Sequence, residues 1–543
     1  MPDTAAPAAT AAEALIAAFA EAGTRRIYGV PGGGSSLDLI AAARARGLGF
    51  VLARHESAAV IMAATEAELS GAPGLALCTR GPGVGNAANG VAHAALDRAP
   101  VVLLADGFTP AERAFATHQY FDHAAMLAPV TKVQLSVGQM AAGEAAARAI
   151  GAVMAAPRGA ALIELSGAAA RQPAAPAWLG TPPSSLPEPA ALAAARALLA
   201  RARRPVVVLG LEAAAPEASA AARRLVASLG CPALVTYKAK GVIADTDPHF
   251  AGIFTCGAAE GPVLERADAV VLVGADPVEF IPRPWRWDVP VIELATAPRA
   301  LPYRAPAAAV TGAMAAAIAG LAEGAPRSAW DLREIAALRA AWLAALANAP
   351  RRGRGIGPQR VVEVTQAAAR ASGFDPRVAV DAGAHMFPAT TFWQCARPGD
   401  LLISNGLATM GFAVPAGIAA ALHEPGRGAI AFTGDGGLLM GLGELATAAA
   451  LGLRLVVVAF NDAALSLIDI KKDSRDLPEG ALGWPRPDLA GAMRALGGLG
   501  LTAATEEELA EAVAAACAAR GPVLIDASVD PSGYPAQIRA LRG

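Results

Sequence analysis

At 543 residues the chain exceeds one ordinary domain, and two to four are expected. A net charge of -2 and a pI near 6.4 give no electrostatic footprint for nucleic acid or an acidic membrane surface. Mean hydropathy is +0.41, but alanine inflates it, so the apolar content reads as buried core and not as membrane.

In chain order, the N-terminus carries Asp3, Glu13 and Glu21 with no basic run, so no secretory signal is expected. Ala11 to Ala22 reads as a helix stopped by Gly23. A glycine loop, Gly29-Val-Pro-Gly-Gly33, follows, and then Arg54-His55-Glu56. Gly74-Leu-Ala-Leu-Cys-Thr79 reads as a strand entering a second glycine loop, Thr79-Arg-Gly-Pro-Gly-Val-Gly-Asn86. An alanine-rich helix and the strand Val101-Val-Leu-Leu-Ala-Asp106 come next, then His118-Gln119 and Pro129-Val-Thr-Lys132. Gln172 to Pro189 and Asn348 to Pro358 read as linkers, which predicts three α/β domains at 1–172, 190–330 and 350–543. The middle one has apolar strands at Pro205 to Gly210 and Ala269 to Gly274.

The third begins its chemistry at Asp381-Ala-Gly-Ala-His385. Leu401 to Leu422 is uncharged and long enough to imitate a membrane span, but Ser404-Asn405-Gly406, Gly411 and Pro415 interrupt it, so a buried loop and helix are expected. Gly428 to Thr433 reads as a strand running into Gly434-Asp435-Gly436, Leu438 to Leu451 as a helix, and Leu455 to Phe460 as a strand ending at Asn461-Asp462. The strand–glycine loop–helix–strand order from Gly74 to Asp106 thus recurs from Gly428 to Asp462, as in a duplicated unit. Five cysteines (Cys78, Cys231, Cys256, Cys395, Cys517) are odd in number and without metal spacing, as expected of reduced thiols in a cytoplasmic protein.

Asp435 and Asn461 stand at the carboxyl ends of two expected strands, where open α/β sheets bind ligands. Glycines beside a helix N-terminus let backbone N–H groups approach an anion. A carboxylate and an amide, with room for waters and phosphate oxygens, suit Mg²⁺.

These segments, in this order, resemble the thiamine-diphosphate (ThDP) enzymes of the acetolactate synthase-like branch. The resemblance implies an α/β fold of three domains with parallel sheets flanked by helices, binding the pyrimidine, central, and binding diphosphate and Mg²⁺ in turn. It implies that Glu56 exchanges a proton with the pyrimidine ring, that the Ala408 carbonyl receives the exocyclic amine, and that Met410 bends the cofactor. His385 would contact the diphosphate, and Asp435, Asn461 and the Ala463 carbonyl would hold Mg²⁺. Gly33, Gly83, Asn86, Gly434, Gly436, Gly437 and Leu465 would complete the cofactor contacts.

Reaction choice rests on positions where the family diverges. Gly33 stands where pyruvate decarboxylase-like members carry an aspartate, and Gln119 aligns with a glutamine of acetolactate synthases and benzaldehyde lyase. With no acid there to protonate the reacting carbon, a second carbonyl has time to capture it. His118, Lys132 and Lys471 are further substrate-site candidates, Lys471 replacing the tryptophan of acetolactate synthases within a charged run from Asp469 to Arg475. Gly274-Ala-Asp-Pro-Val-Glu279 lacks the Arg-Phe-Asp pattern of FAD-binding relatives, so no tightly bound flavin is expected. The expected enzyme is a 2-oxo acid decarboxylase/carboligase acting on a small 2-oxo acid or hydroxy ketone. It would self-associate, with active sites between subunits, and use neither nucleic acid nor membrane. The alternatives are a simple 2-oxo acid decarboxylase or a 2-hydroxy ketone or 2-hydroxyacyl-CoA lyase. A non-catalytic ThDP-binding regulatory protein is the rival outside catalysis, and intact Glu56, Asp435 and Asn461 argue against it.

Overall fold

The computed structural model describes residues 9–175, 177, 180, 185–299, 304–347, 353–472 and 475–543. Asp3, parts of both expected linkers and two residues of the run from Asp469 to Arg475 lie outside them. The described chain forms three parallel six-stranded sheets flanked by helices. The first contains β1 Arg26–Val30, β2 Gly49–Leu52, β3 Gly74–Cys78, β4 Val101–Asp106, β5 Gln134–Val137 and β6 Ala160–Leu165. The second contains β7 Pro205–Leu209, β8 Ala233–Val235, β9 Phe250–Ile253, β10 Ala269–Val273, β11 Val291–Ala295 and β12 Ala308–Thr311. The third contains β13 Arg377–Val380, β14 Leu401–Ile403, β15 Ala429–Gly434, β16 Leu455–Asn461, β17 Leu499–Ala503 and β18 Val523–Ser528. Strands covered on both faces need apolar residues at every position, and β4, β7, β10 and β16 are buried throughout.

The outer sheets share one topology. The first runs β2-β1-β3-β4-β6-β5 and the third β14-β13-β15-β16-β18-β17, so each reverses direction between its first and third strands in chain order. Loops leaving those strands border the crevice where open sheets take ligands. They are the two glycine loops in the first sheet, and the stretches after β13 and β15 in the third. The second sheet runs β12-β11-β10-β7-β8-β9, the other doubly wound order, with its reversal between β7 and β10.

One compact unit joins the first sheet to Val414–Pro425 and Gly441–Leu451, and a second unit holds the other two sheets. In the first, Arg26 donates to the Leu422 carbonyl, while Glu444 Oε1 accepts from the backbone N–H groups of Arg54 at 2.7 Å and His55 at 3.0 Å.

Two local expectations change. The helix read at Leu438 to Leu451 begins at Asp435 and is broken into Asp435–Met440 and Glu444–Ala450. Glycines at 441 and 443 are poor helix formers, and a Cβ on Gly443 would lie only 3.2 Å from Arg54 Cβ. The second glycine loop is shorter than read, because Pro82 opens the helix Pro82–Leu96 and carries Gly83 and Asn86 into it. As for the uncharged run from Leu401, it divides into β14, a loop and the helix Ala413–His423. No helix among the described residues is long and apolar enough to cross a membrane.

In the second sheet a buried carboxylate ties three loops together. Glu279 Oε2 accepts from the backbone N–H groups of Leu211 and Asp276, each at 3.0 Å, and Oε1 accepts from Thr236 Oγ1. Burial outweighs these bonds and pushes its carboxyl up to about 7. The folded state therefore holds this proton more tightly than the unfolded chain. Its stability contribution is full below the unfolded value of 4.5 and declines as pH rises to about 7. A glutamine can accept both N–H groups at its oxygen and donate to Thr236 from its nitrogen. Glu279→Gln should therefore match wild type in unfolding free energy, measured by urea titration, near pH 4 and exceed it progressively up to pH 7, by an amount on the order of 3 kcal/mol. A constant difference across that range would show that Glu279 is not the titrating group.

Candidate functional site

In the first unit the site is built around Glu56, the first residue of the helix Glu56–Ser70. His55 caps this helix, its Nδ1 accepting from Ser57 N–H at 3.1 Å. With Glu444 holding the two preceding N–H groups, the turn that launches Glu56 is fixed from both sides. Close packing of the helix from Pro82 then supplies the partner. A Cβ on Gly90 would fall 2.7 Å from the Ser57 carbonyl oxygen, and Gly90 N–H donates to Ser57 Oγ. Asn86 Nδ2 reaches Glu56 Oε2 at 3.1 Å, while Gly83 faces Oε1, its Cβ position 3.4 Å away. Arg54 turns its guanidinium to the Leu52 carbonyl and not to Glu56.

The first glycine loop is held by Asp106, a residue that sequence reasoning used only as a strand end. Its Oδ1 accepts from Ser35 Oγ at 2.7 Å, Ser36 N–H at 2.9 Å and Ser36 Oγ at 3.0 Å. A Cβ on Gly32 would strike Asp106 and Thr79, whereas one on Gly33 would meet nothing within 4 Å. His118 and Gln119 are exposed, and Gln119 takes a left-handed φ of 53°. Lys132 is not brought to this edge. Its ammonium donates to the carbonyls of Ala155 at 2.7 Å and Pro157 at 2.8 Å, just past the helix Ala142–Met154, and its N–H donates to Ala160 at the start of β6. A cation there satisfies helix-end carbonyls at the amino ends of the strands, which corrects its reading as a substrate residue. A cavity of about 300 Å³ opens at the carboxyl ends of β4, β5 and β6, but none of Gly33, Glu56, Asn86 and Gln119 lines it. Two of its hydroxyls are occupied as helix caps, Thr109 to Glu112 and Ser166 to Ala169.

In the second unit, Asp381 gathers the loops. Its carboxylate accepts from Thr433 Oγ1 at 2.8 Å, Gly411 N–H at 3.1 Å, Phe412 N–H at 3.0 Å and Ala382 N–H at 3.0 Å, and burial pushes it up to about 6 against those bonds. Gly437 packs on it so closely that a Cβ would sit 2.3 Å from Oδ2. Strands β15 and β16 pair in register through Gly434 and Phe460, which sets Asp435 and Asn461 side by side at their carboxyl ends. Asp526 accepts from Asn461 Nδ2 at 2.9 Å and so turns the amide oxygen the other way. Arg486 in turn holds Asp526 at 3.2 Å.

Two oxygens here are buried without a hydrogen-bond partner, Asp435 Oδ2 and Asn461 Oδ1. Leaving such an acceptor unpaired costs about 1–3 kcal/mol. The Trp484 indole N–H, itself unpaired, and the Ala463 N–H lie near enough to favour the Asp435 carboxylate without closing a hydrogen bond to it. Burial first, and then the neighbouring Asp462, push the Asp435 carboxyl up to about 6, a shift that a cation would reverse. Ala463 has a left-handed φ of 59°, and its carbonyl accepts from Trp484 N–H at 3.0 Å, leaving a second lone pair. Among the described residues no group of three or more His, Cys, Asp or Glu could hold a metal. One carboxylate, one amide and one carbonyl nevertheless fit Mg²⁺, which keeps several ligands from water and phosphate.

Beside these oxygens, His385 is buried with Nε2 unpaired, and burial pushes its ring down to about 3, so the imidazole is neutral. It stacks obliquely on Phe460 and lies 3.2 Å from where a Gly434 Cβ would stand. Around Gly436, the Cβ position lies 3.1 Å from Trp484, 3.3 Å from Leu465 and 3.4 Å from Met410, an apolar wall over a bare backbone. Ala408, with a φ of 54°, lies two residues before Met410. Lys471 is exposed beyond the short helix Ser466–Asp469, and Lys472 pairs with Asp469 at 2.8 Å. Trp484, Asp526 and Glu444 were missed because single residues in irregular or long-range positions carry no periodic signal.

Family models match in chain order. The N-terminal TPP binding domain of thiamine pyrophosphate enzymes covers residues 9–126, their central domain 192–321, and their C-terminal TPP binding domain 381–527. Acetolactate synthase of Bacillus subtilis is 28% identical, the alignment covering 96% of this chain and 93% of that one. The protein named "Probable 2-ketoarginine decarboxylase AruI" of Pseudomonas aeruginosa is 32% identical over 90% of this chain and 88% of its own. The 2-hydroxyacyl-CoA lyase of Oryza sativa subsp. japonica is 27% identical over 97% of both. With three matched domains in one order over sheets of the matching kind, this chain belongs to the thiamine pyrophosphate enzyme family and is a ThDP-dependent enzyme.

Proposed function

We propose that the chain uses ThDP with Mg²⁺ to decarboxylate a 2-oxo acid and join the remaining fragment to a second carbonyl compound. The carrying observation is the pair of unpaired buried oxygens, Asp435 Oδ2 and Asn461 Oδ1, at the ends of two paired strands. When bound, ThDP supplies a nucleophilic carbon that adds to a carbonyl, and an electron sink for the bond that breaks next.

The protein's own residues do the rest. Asp435, Asn461 and the Ala463 carbonyl would hold Mg²⁺, and the unpaired indole N–H of Trp484 and, as its Nε2–H tautomer, the neutral His385 ring lie among the donors available to phosphate oxygens. Met410 and Leu465 would press the cofactor against the bare Gly436 backbone. Glu56, oriented by Asn86, would pass a proton to and from the pyrimidine ring. Gly33 places no acid in its loop, and the Gln119 amide is a hydrogen-bonding group and a poor proton donor, so capture by a second carbonyl outpaces protonation. The exposed Lys471 remains a candidate for steering an anionic substrate. Family resemblance supports a dimer or dimer of dimers, in which the pyrimidine half of one subunit meets the diphosphate half of another. Simple decarboxylation is the second reading, favoured by the 32% identity to the protein named as a 2-ketoarginine decarboxylase.

Product analysis with a panel of 2-oxo acids, with and without an aldehyde or ketone acceptor, tests the proposal. Ligated hydroxy ketone or hydroxy acid is expected, and free aldehyde as the main product despite ample acceptor would hand the case to decarboxylation. Glu56→Gln should retain ThDP but slow its C2–H exchange by about 10²–10⁴. Unchanged exchange measured by NMR would remove Glu56 from the proton path. Asp435→Ala should abolish Mg²⁺-dependent ThDP binding, because a carboxylate in the metal shell is lost. Calorimetry showing the same affinity in excess Mg²⁺ would reduce Gly434 to Asn461 to a structural turn. Gly33→Asp should fold normally, since its Cβ meets nothing within 4 Å, and should raise the fraction of free aldehyde. A product ratio identical to wild type would show that this loop does not face the reacting carbon.

A further inference from the structure

We propose that His123 is a positioning residue. As a neutral imidazole with its proton on Nδ1, it fixes the Gly81 turn and, through Gly81, the backbone of Gln119. The inference rests on the proposed reading of Gln119 as a residue that governs whether a second carbonyl captures the reacting carbon.

His123 is 2% exposed and opens the short helix His123–Leu127, capped by Asp122 through Ala125 N–H at 2.9 Å. Both ring nitrogens are committed. Gly81 N–H donates to Nε2 at 3.0 Å, so Nε2 carries a lone pair. Nδ1 therefore carries the proton and donates to Glu164 Oε1 at 2.8 Å. Glu164, on β6, has Arg113 3.7 Å from its other oxygen. Phe121 packs edge-on to the imidazole, with centroids 4.8 Å apart and planes at 84°, which fixes its tilt.

What this ring holds is a junction of two left-handed backbones. Gly81 has a φ of 65°, and a Cβ there would lie 2.6 Å from the Gln119 carbonyl oxygen and 3.0 Å from its Cα. Gln119 is itself left-handed at 53°, a conformation strained for a residue with a Cβ. Such a conformation persists only when its surroundings over-determine it. The surroundings are the bare Gly81 peptide on one side and, four residues on, the His123 ring bonded to that same peptide. Pulling the ring off Gly81 frees both ends of the junction. Glu56 is launched by Glu444 and His55, and Asn86, although on the helix that Gly81 precedes, is held to that launch by Ser57 Oγ donating to its carbonyl at 2.5 Å, so proton exchange at the cofactor should not depend on His123.

The test compares His123→Leu, His123→Gln and Gln119→Ala in the ThDP- and Mg²⁺-loaded enzyme. Leu removes the acceptor, while the Gln Oε1 can stand where Nε2 stood. His123→Leu should lower the ratio of ligated product to free aldehyde about tenfold, with cofactor C2–H exchange unchanged, and His123→Gln should restore the ratio to within about threefold. Spectra of ¹⁵N-histidine-labelled wild type should contain a neutral Nδ1–H ring that vanishes in His123→Gln. If Gln119→Ala leaves the ratio unchanged, the underlying reading of Gln119 fails and takes this inference with it. If Gln119→Ala moves the ratio and His123→Leu does not, the inference alone is overturned. It is likewise overturned if His123→Leu depresses exchange and ligation together, if His123→Gln rescues nothing, or if the ring is the Nε2–H tautomer.

Discussion

At the carboxyl ends of all three sheets, a buried carboxylate receives the N–H and hydroxyl groups of loops that have no strand to pair with. Asp106 does this for Ser35 and Ser36, Glu279 for Leu211, Asp276 and Thr236, and Asp381 for Ala382, Gly411, Phe412 and Thr433. Buried backbone donors need acceptors, and one carboxylate offers several lone pairs at charge-assisted strength. The cost is visible where burial raises Glu279 to about 7 and Asp381 to about 6. What the chain gains is loops pinned closely enough for glycine backbones to lie bare beside one another. The bare glycine walls of the candidate site depend on that closeness.

The three sheets use the device to different ends. In the third, the pinned loops leave two oxygens of Asp435 and Asn461 with no partner, the pair proposed to face Mg²⁺. In the first, they lay the bare Gly32 against Asp106 and Thr79, next to the helix that sets Gly83 and Asn86 against the Glu56 carboxylate. In the second, the reversal between β7 and β10 is drawn shut, since a Cβ on Gly210 would lie 2.2 Å from Ala275 Cα. Glu212, Asp276 and Glu279 crowd that end, with the Arg299 guanidinium occupied by Glu212 and the Ala275 carbonyl. A phosphate arriving there would meet carboxylates before it met a free donor.

Much of this was legible because it is periodic or local. Continuous apolar runs ending in glycine turns mark parallel strands, so β3, β4, β15 and β16 stand within a residue or so of where the sequence puts them. Asp435 and Asn461 were legible because each follows such a strand directly. The break at Gly441 to Gly443 was legible only in part: its glycines are local, but the approach of Arg54, far away in the chain, is not. Glu444 bracing the turn before Glu56 is a contact across 390 positions and leaves no local trace. Lys132 misled for the opposite reason. Its neighbours in sequence resemble a substrate-site segment, but the direction of β5 and β6 puts it at the wrong end of the sheet.

The division between what is pinned and what is open also bears on why one fold serves different reactions. Groups proposed to hold the cofactor sit on strand ends and first helical turns, where displacement would disturb a buried carboxylate or a sheet register. Gly33 and Gln119, proposed to choose the reaction, sit where a side chain meets open space or lies exposed. Changes there cost the sheets nothing, so chemistry can diverge while the scaffold stays fixed. Relatives named as a synthase, a decarboxylase and a lyase align over most of this chain, which is the pattern such a division produces. Gln119 is the exception that shows its limit. Its strained backbone is tied through Gly81 to a buried ring, so this position can change its side chain freely but not its shape.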